Sequence, residues 1–139
     1  MKIEVRPEES GDSDAIRSLV TRAFRSQNEP LLVDRLRGAG AVALSLVAVV
    51  DGKIAGHILF SPMTMNPDLF GAAIYGLAPL AVAPEYQKQG IGRELIRLTR
   101  IAIGEQTMLL LLSAPNAMDY YPKLGFEKVE NGYIIHRKK

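Results

Sequence analysis

Cysteine is absent from this chain of 139 residues, which excludes a disulfide framework, a thiolate metal site and a cysteine nucleophile. Histidine is scarce: His57 and His136 are too far apart to share metal-ligand spacing, so no metal is expected. No apolar run approaches the ~20 residues that span a bilayer. The charged Lys2, Glu4 and Arg6 are unlike a secretory leader. A cytoplasmic protein without a membrane partner is the expectation. Excess charge is small too. A formal net charge of +2 does not argue for nucleic acid, although the pI near 9.0 suits a polyanionic small ligand. Internal repeats, low-complexity segments and linkers are all missing. With 47% hydrophobic residues, the chain is expected to form a single domain over residues 1–139.

What is present alternates between strand and helix patterns. Lys2 to Arg6 alternates in polarity up to Pro7, a first strand. Asp12 or Ser13 can cap a helix whose apolar positions Ile16, Leu19, Val20 and Ala23 follow helical spacing. A second helix is predicted over Leu31 to Leu36, stopping at the glycines 38 and 40; its Arg35-Leu36-Arg37 reads as a solvated face. Leu44 to Val50 and Lys53 to Met63 are strands around the hairpin signal Asp51-Gly52. Ile74 to Val82 is a strand interrupted by Pro79, which implies an edge, a bulge or a place where pairing fails. A helix then runs from about Gly90 to Ile103, with Ile91, Leu95, Leu98 and Ala102 on one stripe. Thr107 to Leu112 is short and apolar, a strand buried on both faces. This strand, helix, strand unit should make its strands parallel, with ligands at their carboxyl ends. A short helix around Ala117 to Tyr121 and two strands turned by Asn131-Gly132 complete a mixed α/β chain.

The most informative stretch is Gln87-Lys88-Gln89-Gly90-Ile91-Gly92-Arg93, which carries the chain from a strand into a helix. The first N–H groups of a helix have no internal partner and carry partial positive charge. Glycines there let an anion approach the backbone, and Lys88 and Arg93 add countercharge. An ordinary turn has the same local pattern. The spacing is that of neither the Gly-Lys-Ser/Thr loop nor the dinucleotide fold.

Two motifs together resemble the GNAT superfamily of acyl-CoA-dependent N-acetyltransferases: Gln87-x-x-Gly90-x-Gly92 after Leu80-Ala81-Val82, and Tyr120-Tyr121-Pro122-Lys123-Leu124-Gly125-Phe126 one helix and strand later. The order of elements resembles that family from about Ile3 to Arg137. Gly56-His57-Ile58-Leu59-Phe60-Ser61-Pro62 and Gly76-Leu77-Ala78-Pro79 are similar to a bacterial subgroup of small acetyltransferases with mostly undefined substrates. The resemblance implies a central twisted mixed sheet of six to seven strands flanked by about four helices, with acetyl-CoA between two splayed parallel strands. It implies that Gln87, Lys88, Gln89, Gly90, Ile91, Gly92 and Arg93 form the pyrophosphate turn. Leu80, Ala81 and Val82 would form the strand that pairs with pantetheine, and Asn116 would hydrogen-bond CoA, although it stands closer to Tyr121 than in the commonest pattern.

Tyr121 matches the position of the family's general acid. A phenol with a pKa of about 10 can protonate a leaving thiolate whose conjugate acid lies at roughly 8.5; Tyr121 can equally be a packed aromatic, as Tyr120 is taken to be. For the base, Ile74 to Val82 offers no carboxylate. Glu29, which matches an acidic position of the subgroup, His57 and water remain. Glu29 before Pro30 also suits a helix start, and His57 within an apolar strand also suits a satisfied, partly buried histidine. The implied function is direct acetyl transfer to the primary amine of a small molecule, with homodimerisation common among relatives. A protein α-amine or lysine acceptor, or a non-catalytic acyl-CoA sensor, are the alternatives.

Overall fold

The computed structural model describes residues 1–63, 74–104, 108–111, 127–129 and 132–135. In chain order these form β1 (Glu4–Pro7), α1 (Ser13–Phe24), α2 (Asn28–Gly38), β2 (Leu44–Val50), β3 (Lys53–Met63), β4 (Ile74–Val82), α3 (Ile91–Ile103), β5 (Met108–Leu111), β6 (Glu127–Val129) and β7 (Gly132–Ile135). The strands join in one sheet of order β1-β2-β3-β4-β5-β7-β6. Only β4 and β5 are parallel; the other neighbours are antiparallel. The predicted parallel pair is therefore found. The short helix expected at 117–121 lies outside the described residues.

Local chemistry accounts for most of these elements. Asp51 and Gly52 both take positive φ, 51° and 76°, the type I′ conformation that lets β2 turn directly into β3. α1 buries Ile16, Leu19 and Val20 and stops at Arg25, a left-handed residue whose N–H bonds the Thr21 carbonyl at 2.8 Å. α2 begins at Asn28, three residues before the Leu31 start that the sequence suggested. Pro30 falls in the first turn, where a missing N–H costs nothing, and the Ser26 hydroxyl accepts from the Asn28 N–H at 3.1 Å.

Pro79 makes a bulge. Ile58 pairs with Leu80 and Phe60 with Leu77, so Ala78 and Pro79 together oppose Leu59. On its other edge β4 pairs with β5 only from Ile74 to Gly76, against Met108 to Leu110. Among the described residues no pairing between these two parallel strands continues past Gly76.

Side-chain alternation along the strands divides the core into two layers. Ile58, Phe60 and Leu80 face α3 and pack with Ile91, Leu95 and Ile96. Val47 and Ala81 face α1 and pack with Ile16, Leu19 and Val20. The buried stripe of α3 is rotated from the expected one: Ile96 and Thr99 are buried while Ala102, in the last turn, is exposed. Thr99 tolerates burial because its hydroxyl donates to the Leu95 carbonyl at 2.8 Å.

α3 sits close to the sheet because β3 has a glycine beneath it. A Cβ on Gly56 would lie 2.8 Å from Ile91 Cγ2 and 3.1 Å from Leu95 Cδ1. Gly56→Ala is expected to cost about 1–3 kcal/mol through overpacking, read as a lower denaturant midpoint at unchanged m-value. Gly11→Ala, whose added carbon meets nothing within 4 Å, should change stability by less than about 0.5 kcal/mol. Equal effects at the two positions would refute the close-approach account.

Candidate active site

Among the described residues, the end of β4 has a strand partner on one edge only. The Ala83 N–H donates to the Ala55 carbonyl at 2.8 Å. Hydrogen-bonded and non-bonded pairs alternate along antiparallel strands, so Ala81 and Ala83 direct their main-chain groups at β3. Leu80 and Val82 direct theirs at the opposite edge, where β5 provides no partner past Gly76 among the described residues. The Val82 carbonyl receives the Gln87 side chain, Nε2 to O, at 3.0 Å. Leu80 and Ala81 have buried side chains and can meet a ligand only through their backbone.

From Val82 the chain passes through one 3₁₀ turn, Pro84–Tyr86, into the glycine turn. Tyr86 packs against both core layers, and Gln89 Nε2 donates to the Glu85 carbonyl at 3.2 Å. Lys88 and Gly90 take φ of 63° and 89°, which bends the chain sharply into α3. Gly90 is the N-cap and has no side chain to spend on capping. The first helical bond runs from the Glu94 N–H to the Gly90 carbonyl at 3.0 Å, so the N–H groups of Ile91, Gly92 and Arg93 precede any internal acceptor. A Cβ on Gly90 would meet nothing within 4 Å. Lys88, Gln89 and Arg93 are exposed around this space, and Ile91 is buried beneath it. The Glu94 carboxylate in the same turn is occupied by Arg97, Nε to Oε2 at 3.0 Å, which holds its pKa below the usual carboxylate range. Three backbone N–H groups without an internal acceptor, beside the exposed Lys88 and Arg93, are donors and charge that could hold an anion.

Glu29 stands in the first turn of α2. α1 and α2 run antiparallel and are tied by an Arg17–Asp34 ion pair, which brings Glu29 level with the Arg22 turn of α1. Arg22 in turn pairs with Glu85, just before the glycine turn. Glu29 is half-buried, and its Oε2 is enclosed without a hydrogen-bond partner among the described residues. A cleft of about 90 Å³ between α1 and α2 is lined by Ile16, Arg17, Val20, Pro30, Val33 and Asp34, among others. It shares no lining residue with the glycine turn, and the site is not built around it.

His57 is 0% exposed, more deeply buried than the sequence suggested. Its Nε2 lies 2.9 Å from Ser45 Oγ and 3.6 Å from Glu8 Oε1; its Nδ1 has no partner among the described residues. Ser45 Oγ is also 2.9 Å from Glu8 Oε1, and Arg37 clamps both Glu8 oxygens, NH2 to Oε1 at 2.6 Å. Arg37 is thus no part of a solvated face, since Glu8 draws it inward; Arg35 is exposed. Burial by itself would raise the Glu8 carboxyl, but hydrogen bonds from His57, Arg37 and Ser45 and the Arg37 charge outweigh it and lower its pKa to about 2. Burial pushes His57 below its ordinary value, against the pull of Glu8. Glu8 and Ser45 did not stand out in the sequence, because neither forms a motif with His57.

Tyr121 and Asn116 lie outside the described residues. Among the described residues, no three His, Cys, Asp or Glu side chains group as metal ligands, and no helix is long and apolar enough to cross a membrane.

Comparison with known proteins identifies the family. Residues 42–128 match the acetyltransferase (GNAT) domain family. The chain is 42% identical over 125 residues to YjhQ of Escherichia coli, an uncharacterised N-acetyltransferase, covering 86% of this chain and 66% of YjhQ. YhbS of Escherichia coli, also an uncharacterised N-acetyltransferase, is 39% identical over 93 residues. The chain therefore spans 66% and 54% of the lengths of these two relatives. A GNAT family acetyltransferase of Brucella melitensis, solved with acetyl-CoA, superposes with a TM-score of 0.79 at 34% identity, covering 99% of this chain and 90% of that one. YhbS, solved with CoA, superposes at 0.85 with 29% identity, covering 99% and 82%.

The His57 cluster makes stability depend on pH. The folded pKa of His57 is depressed, so its contribution is complete above the unfolded value of about 6.5 and is lost as pH falls below it. Glu8, at about 2 against an ordinary 4.5, contributes fully above 4.5 and loses that contribution on further acidification. The denaturant midpoint should be flat above about pH 7 and decline in two stages on acidification, the first absent from His57→Gln and the second from Glu8→Gln. A midpoint independent of pH between 7 and 4 would contradict this assignment.

Proposed function

The chain belongs to the GNAT acetyltransferase family, and from that premise we propose that it transfers an acetyl group from acetyl-CoA directly to a primary amine of a small molecule. The observation that carries this reading is the continuity of two anion- and amide-binding features. The free edge of β4 at Leu80 and Val82 runs within ten residues into the N–H ring at Gly90 to Arg93. Pantetheine is an amide-bearing arm and the nucleotide end is a diphosphate; the two features follow each other in the order that molecule requires.

In this reading, Leu80 and Val82 bind the arm through main-chain groups, with Ala81 securing the strand to β3. Gln87 and Gln89 brace the turn through their hydrogen bonds to Val82 and Glu85. Backbone donors from Lys88 to Arg93 hold the diphosphate, and the Lys88 and Arg93 side chains balance its charge. Asn116 adds a contact to the arm. Acetyl-CoA supplies an acetyl group activated as a thioester. As the amine nitrogen bonds to the acetyl carbon, the carbon–sulfur bond breaks and the thiolate takes a proton from Tyr121. No covalent enzyme intermediate is needed, in keeping with a chain without cysteine.

Glu29 recognises the acceptor. Its enclosed carboxylate oxygen calls for a donor, and a single ammonium supplies both hydrogen and charge. A β1 strand and a β7 strand within one sheet support treating residues 1–139 as one catalytic domain.

Calorimetry with acetyl-CoA should show binding that Gly90→Val weakens at least about tenfold, because a β-branched residue does not adopt its positive φ. In a CoA-release assay over an amine panel, Tyr121→Phe should lower kcat by about 10²–10⁴ with acetyl-CoA affinity unchanged. Full turnover in Tyr121→Phe would remove the general-acid role. Tight binding without release for any small amine, but with release for a peptide α-amine or lysine, would make the acceptor a protein. Binding without release for any acceptor would make the chain a sensor.

A further inference from the structure

A serine hydroxyl has one hydrogen to give. Ser45 Oγ lies 2.9 Å from Glu8 Oε1 and 2.9 Å from His57 Nε2. The Glu8 carboxylate is ionised and can only accept, so the Ser45 hydrogen goes to Glu8. Ser45 Oγ must then accept, and His57 donates to it through Nε2–H. That leaves the neutral imidazole with its lone pair on Nδ1, the one atom of the ring that has no partner among the described residues. Carboxylate, hydroxyl and imidazole are thus lined up to present a bare base and to stabilise the cation formed when it gains a proton.

The placement of the ring gives this base a use. His57 pairs with Val47 on β2 and Ala81 on β4, and all three side chains face the α1 layer. Val47 and Ala81 flank the ring along the sheet, and the layer they belong to is packed by Ile16, Leu19 and Val20 of α1. Two strand spacings, about 10 Å, separate the backbone of β3 from a ligand on the far edge of β4, so a proton reaches the ring only over bridging water. Glu29 lies on the same side of the sheet, in α2.

We propose that His57 is the proton acceptor for the attacking amine, reached at Nδ1 through water, with Ser45 and Glu8 as positioning residues. This rests on the acyl-transfer reading above. An ammonium N–H bond breaks, its proton passes through water to Nδ1, and the freed electron pair forms the bond to the acetyl carbon. The charged groups facing the ring are Glu8 after β1 and Arg37 from α2, which neutralise one another. β2 contributes Ser45, and the buried α1 residues Ile16, Leu19 and Val20 are apolar.

The first measurement needs no substrate. Imidazole ¹⁵N shifts of the protein at pH 7.5 should show the Nε2–H tautomer at His57; an Nδ1–H tautomer overturns the proposal whatever the activity. With an active amine, His57→Gln should lower kcat about 10²-fold and remove the acid limb of the pH–rate profile, with acetyl-CoA affinity unchanged. Glu8→Gln should keep that limb but move it to lower pH, since the imidazolium loses its counterion. A limb unmoved in Glu8→Gln and retained in His57→Gln refutes the role of His57 while leaving acyl transfer intact. If the wild-type chain binds acetyl-CoA and acetylates no amine, the acyl-transfer reading itself fails and the proton-acceptor role falls with it.

Discussion

Strand β4, paired on both edges at its beginning and, among the described residues, on one edge at its end, is the constraint from which the candidate site follows. β4 meets β5 for three residues and has no described partner on that side past Gly76, while the bulge at Ala78 and Pro79 re-registers it against β3. A buried backbone without partners is costly. Under the proposed function, an extended molecule with its own amide groups would meet that cost by pairing with the strand, as a pantetheine arm can. The bulge also keeps Leu80 directed into the α3 layer and Ala81 into the α1 layer, so the edge is supported by core on both faces.

The second half of the site depends on a missing side chain. Gly56 lets Ile91 and Leu95 descend onto β3, and this seats the first turn of α3 where β4 delivers the chain. The N–H ring is therefore placed by core packing of a buried glycine as much as by the turn's own glycines. Gly90 governs the conformation of the turn, whereas Gly56 governs its position.

Much of this was legible because the signals are local. Asp51-Gly52, the proline in β4 and the strand–glycine–helix passage each act within a few residues, and each appears in the structure where the sequence placed it. Features made by distant residues were not legible. Arg37 read as solvated because its partner, Glu8, is 29 positions away; Ser45 carried no motif at all. The early start of α2 escaped notice because Pro30 usually marks a boundary, yet inside a first turn it is harmless. The rotated stripe of α3 escaped because Thr99 counts as polar until its hydroxyl is satisfied within the helix. At the candidate site, the strand–glycine–helix turn was readable from spacing, whereas the Glu8–Ser45–His57 cluster emerged only from three residues meeting in space.

The Arg22–Glu85 ion pair joins the two-helix unit that carries Glu29 to the segment that leads into the phosphate turn. Both side chains are about half exposed, so solvent screens the link and it contributes little to stability. Because the pair lies between two solvent-facing charges, rising salt loosens this tie between α1 and the chain ahead of α3 while the apolar layers beneath both helices keep their hold.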